Sequence, residues 1–168
     1  MLILNGAPGN RLDGKHGSTF GAWEITIPPP PFRGSYGFNP GLLSSGPFGF
    51  DMSVPLRTRL LGREIFSFRG RANIPTILDS TRPIVKVSTS ATRGPPSYEF
   101  EERGFFCINR HNGHINVLFL DWSARKVGLK ELWTLKWGSD WDTAGPWTKA
   151  GGVQPEDWPR WMRSFKDY

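Results

Sequence analysis

Residues 107–137 read CINRHNGHINVLFLDWSARKVGLKELWTLKW, and this stretch decides the fold. At its centre stands Asn112-Gly113, the dipeptide a type I′ hairpin turn selects because both central residues need positive φ. Segments of strand composition flank it, residues 105–109 and residues 115–120, rich in β-branched and aromatic side chains. They are expected to pair as a hairpin. Asp121 follows the second strand, Trp122 and Ser123 turn the corner, and residues 125–127 return as a third strand. Leu129, Leu132, Trp133 and Trp137 then recur at helical spacing, with Lys130 and Lys136 on the other side. That spacing predicts a short amphipathic helix capped by Gly138.

Away from this centre the chain is rich in turns. Twenty glycines and fifteen prolines among 168 residues favour loops and short strands over long helices. Residues 23–27 alternate as a strand until the prolines 28–31, where a polyproline II connector is expected. Residues 34–41 read as an aromatic loop pinned by glycines. Residues 74–79 make a good strand with Pro75 at its start, where no ladder donor is needed. Further strands are expected at 2–4, 64–68 and 84–88, a helical turn at 57–63, and a polar loop at 88–97. After residue 121 come seven of the eight tryptophans. Residues 157–165 read as a terminal helix with Pro159 in its first turn.

The composition bounds the rest. The length fits one domain, 1–168, with a loop-rich first part to residue 104 and the hairpin, helix and Trp-rich tail after it. A net charge of +6 tolerates an anionic partner without demanding one, because the basic residues are scattered, and no nucleic-acid partner is expected. One cysteine excludes an intrachain disulfide. No apolar run reaches the roughly 20 residues of a membrane span, and no targeting segment stands at the start.

Several side chains invite chemistry. Cys107, His111, His114 and Asp121 could each ligate zinc, yet they lack two spaced pairs, and strand geometry separates them. Cys107 has no base-orienting third residue nearby in sequence, and Glu99, Glu101 and Glu102 read as a solvated charge run. Asp140 and Asp142 could offer oxygens to calcium, the one cofactor the acidic loop suggests, but without EF-hand spacing. The tail tryptophans would stack sugars or bases if exposed, and form a small core if buried. Asp121 has a structural use: at the end of a strand its carboxylate can accept backbone N–H groups of the next corner and hold Trp122 there.

His111, nine residues, then Asp121 resembles the H-x9-DG motif of bacterial prepilin-like proteins, the type II secretion and type IV pilus pseudopilin group. The strings 107–113, 117–123, 125–137 and 151–168 look like the C-terminus of one subgroup, and 20–23, 34–38 and 74–79 are looser matches. Trp122 stands where the motif has Gly. The N-terminal methylated apolar helix of the group is missing from this sequence.

The resemblance implies an α+β head: mostly antiparallel sheet, short helices and long loops, without the long helix. It implies a non-catalytic structural subunit of a secretion or pilus filament in the cell envelope. Other pilin-like subunits or secretion components would be its partners, and membrane contact would come only through the missing helix. His111, Asn112, Gly113, Asp121 and Trp122 would maintain the motif. Two alternatives stand beside it. One is a soluble module holding glycans or nucleic acid through Trp and basic residues. The other is a metal-dependent hydrolase built on His111, His114 and Asp121.

Overall fold

The computed structural model describes residues 13–27, 29–39, 69–83, 94–97, 105–137 and 141–168. The expected elements at 2–4, 57–63, 64–68 and 84–88 lie outside the described residues, as do Gly138, Asp140, Glu99, Glu101 and Glu102. Two antiparallel sheets are present. The first holds β1 (Asp13–Lys15), β2 (Trp23–Ile27) and β3 (Phe32–Gly34), in that order. The second holds β4 (Tyr36–Phe38), β5 (Pro75–Asp79), β6 (His114–Phe119) and β7 (Ala124–Gly128), also in that order. Ser35 alone separates β3 from β4, so the chain crosses between sheets within one residue.

Strands β2, β5, β6 and β7 stand at or near the expected segments 23–27, 74–79, 115–120 and 125–127. Residues 34–38 do not form the expected loop. Gly34 is a strand residue opposite Trp23 because any Cβ there would enter the Trp23 ring, and the indole Nε1 donates to Tyr36 O at 3.1 Å. The proline run also behaves differently from an extended connector. It closes the hairpin between antiparallel β2 and β3, with a cis Pro29–Pro30 bond.

Residues 105–109 form turns and irregular chain instead of a strand. The position beside β6 is filled by β5, with Leu78 opposite Val117, and β7 fills the other side. With both ladders taken, the Phe105 carbonyl accepts the Thr81 N–H at 2.8 Å and the Ser80 hydroxyl at 3.0 Å. The turn itself forms as its composition dictates. Asn112 has φ 51° and Gly113 φ 82°, and His111 N–H donates to His114 O. Gly113 is doubly required, since the Phe165 ring packs where its Cβ would stand.

The α part of the expected fold is reduced, among the described residues, to 3-10 turns. Residues 129–137 contain one at Lys130–Thr134, after which Leu135 is already extended. Side chains take the carbonyls that an α-helix would need. The Trp137 indole donates to Leu132 O at 2.7 Å, the Thr134 hydroxyl to Glu131 O, and Asn73 Nδ2 to Thr134 O. The terminal helix is likewise two separate 3-10 turns, Pro155–Asp157 and Arg160–Met162.

The core lies on one face of the second sheet, where Leu78, Ile115, Val117 and Phe119 meet Leu132, Leu135, Trp158 and Met162. Trp158 stacks edge-on against both Trp133 and Trp147. Lys130 was expected to face solvent and is buried instead. Its Nζ reaches Asp167 Oδ1 at 2.7 Å and lies over the Trp158 ring. This pair, Phe165 on Gly113 and Tyr168 on Gly128 bind the last residues to the hairpin. Burial, then the nearby Glu131 charge, pushes the Tyr168 phenol up.

Strand β7 is an edge strand among the described residues. Bonds from Leu129 N–H to Gly113 O and from Phe119 N–H to Ser123 O bracket the β6–β7 ladder, so Ala124, Lys126 and Gly128 turn their backbone groups outward. Side chains cover several of these. Glu131 accepts Gly128 N–H at 3.1 Å and pairs with Arg125, whose guanidinium also donates to Lys126 O.

Lys130→Ala would leave Asp167 without its cation and open space beside Trp158. It is expected to cost about 2–4 kcal/mol in urea unfolding, as lost members of buried pairs do; a change below about 0.5 kcal/mol would show the pair contributes nothing.

Candidate functional site

The motif residues occupy the two ends of β6. At the start, His111 is half-buried, and its Nε2 lies 3.0 Å from Asp79 Oδ2. A carboxylate only accepts, so Nε2 carries the proton, and the Asn116 amide beside it is best turned with its oxygen toward the ring. Asp79 is 2 % exposed. Besides His111 it accepts the Asn116 N–H at 2.7 Å and Arg110 Nη1 at 3.2 Å.

Arg110 is as much a centre as Asp79. Its guanidinium donates to Ser35 O at 2.7 Å and Ser18 O at 2.9 Å, and its Nε to Thr19 O at 2.6 Å. One side chain therefore joins the loop before β2, the crossing between the sheets, and the end of β5. Neither Asp79 nor Arg110 was among the sequence candidates. The signal was present: Asp79 ends an apolar strand, an inward acid that needs a partner, and Arg110 precedes the turn.

At the other end of β6, Asp121 makes the expected turn. Its Oδ1 accepts the Ser123 N–H at 3.0 Å and the Ser123 hydroxyl at 2.6 Å. The hydroxyl first, and then the N–H, hold the exposed Asp121 carboxyl below its usual range. Trp122 has φ 68°, a left-handed conformation that favours glycine, and its side chain is 83 % exposed.

The metal candidates do not converge. His114 Nδ1 bonds to Asn112 O, His111 to Asp79, and Asp121 lies beyond the far end of the six-residue β6. Asp142 caps its own turn by accepting Ala144 N–H. No group of three or more His, Cys, Asp or Glu side chains comes together among the described residues. Cys107 is buried in the core. The tail tryptophans pack into or against that core, and Trp122 alone of the eight is strongly exposed.

No helix of the described residues is long and apolar enough to cross a membrane. Comparison with known proteins finds no matching family model, curated protein or solved structure.

Trp122→Gly is expected to raise stability by about 0.5–1 kcal/mol, the relieved left-handed strain less the freedom glycine adds to the unfolded chain; thermal melting measures it. Asp121→Ala should destabilise at neutral pH. A folded-state pKa below the unfolded value gives stability that is full above the ordinary aspartate range near 4 and lost as pH falls through the folded value. The difference between the wild type and Asp121→Ala should therefore shrink between pH 5 and pH 2 in urea titrations.

Proposed function

We propose that this chain is the globular head of a prepilin-like subunit, a non-catalytic structural part of a type II secretion or type IV pilus-like filament. One observation carries the reading. The strand between His111 and Asp121 is fastened at both ends by the motif residues, and the residue after Asp121 holds the backbone conformation that the motif's glycine serves. A structural role explains each of these contacts. His111 is bound to a buried acid, Asn112 and Gly113 make the turn, and Asp121 closes the corner.

The mostly antiparallel architecture supports the same reading. A head of this kind would meet other pilin-like subunits or secretion components in the cell envelope. It would reach the membrane only through an apolar helix outside the described fold. The hydrolase alternative loses its support because its three side chains serve separate turns. The packing of the tail tryptophans into or against the core favours a structural use over the glycan or nucleic-acid module.

The test is a fusion. A prepilin-type leader helix is placed ahead of the chain and expressed with its peptidase and assembly machinery. Sheared filaments are then probed for the processed head. Incorporation is expected. A processed, protease-resistant head that remains unassembled in the membrane fraction would overturn the reading.

A further inference from the structure

The face of the second sheet opposite the core carries an apolar row. Register places Phe38 opposite Ile77, Ile77 opposite Leu118, and Leu118 opposite Ala124, one residue from each of four strands. Side chains on one face of paired strands at these positions are neighbours. Ile77 is 40 % and Tyr36 51 % exposed, both large apolar groups facing water. A shallow groove of about 410 Å³ runs along this face between Tyr36, Asn116 and Lys126. That volume lies within the range of small-ligand pockets and exceeds one indole. Of the two charged residues on its wall, Lys126 supplies the cation, because the Arg125 guanidinium is committed to Glu131 and lies over Phe119 on the core face.

The groove ends at the pair Leu118–Ala124, two residues from Trp122. There the corner projects a large apolar ring into water from a strained backbone. Folding does not need that ring: it leaves the core untouched, and glycine would suit the position better. A backbone outlier carrying an exposed aromatic residue points to a contact. Asp121 beside it is an exposed carboxylate, opposite in sign to the groove wall.

We propose that Trp122 and the groove are two halves of one self-association surface. The chain pairs with a second copy about a two-fold axis, each Trp122 seated in its partner's groove and each Asp121 facing the other copy's Lys126. Projection and groove adjoin on a single molecule, so a reciprocal arrangement satisfies both at once and closes the pair. A contact built on one ring and one ion pair is small, so the dimer is weak. It does not depend on the filament reading.

Sedimentation velocity on the intact chain from about 10 μM to about 1 mM tests this, a range bracketing the affinity of a small interface. The wild type should pass from monomer to dimer. Trp122→Gly, which is expected to fold better than the wild type, should weaken association at least tenfold. Lys126→Glu, which sets a carboxylate against Asp121, should weaken it comparably. A wild type that stays monomeric at the highest concentration overturns the proposal and leaves leader-dependent assembly untouched. So does Trp122→Gly dimerising as the wild type does, or open-ended growth beyond the dimer. A monomer whose Trp fluorescence is quenched by an added oligosaccharide would overturn it in favour of a foreign occupant.

Discussion

The Arg110–Asp79 pair holds the two sheets in one arrangement. A guanidinium with its side chain only 10 % exposed is costly to desolvate, and here it meets one carboxylate and three backbone carbonyls. Its planar fork presents donors in several directions at once, which a lysine ammonium on a flexible stem does not reproduce. The carboxylate is equally committed, to Arg110, to His111 and to the Asn116 amide. Removing Arg110 would leave the Asp79 carboxylate buried without its cation and take a donor from the Ser18 and Thr19 carbonyls, and removing Asp79 would leave the guanidinium without its counter-charge. The hydrophobic core beneath the second sheet supplies the driving force. The Arg110 bonds to Ser18, Thr19 and Ser35 tie the chain of the first sheet to it, together with the backbone bonds Gly17 N–H to Thr81 O and Ser80 N–H to Ser35 O.

What could be read from the sequence was local. Asn112-Gly113 carries its own conformational instruction, β2 follows from alternation, and β5, β6 and β7 follow from strand composition bounded by turn residues over five or six residues. Asp121 closing its corner onto Ser123 needs only neighbours two residues away. What failed depended on distant competition. Residues 105–109 have every property of a strand, but β5 and β7 already flank β6. Residues 129–137 have helical spacing, yet their carbonyls go to Trp137, Thr134 and Asn73, the last of them far off in sequence. Lys130 looks like an exposed residue until Asp167, 37 positions later, folds back over it.

The site divides in the same way. Its corner was legible; its anchor was not. Asp79 and Arg110 are 31 residues apart, and nothing in either neighbourhood specifies the other. In sequence each reads as an ordinary strand or turn residue. The motif spacing from His111 to Asp121 therefore marks the visible ends of a strand, whereas the group that fixes its first end comes from the adjacent strand.

The covered side of β7 has a further consequence. An open sheet ordinarily grows by recruiting another extended segment, the route by which β-rich proteins entangle. Here Glu131 and Arg125 already occupy hydrogen-bonding groups that an incoming strand would seek. A foreign segment pairing along the whole of β7 would have to displace the Glu131–Arg125 ion pair. Side chains a few positions along the same chain thus act as a selvedge, and steer contacts between molecules away from backbone pairing and toward side-chain recognition.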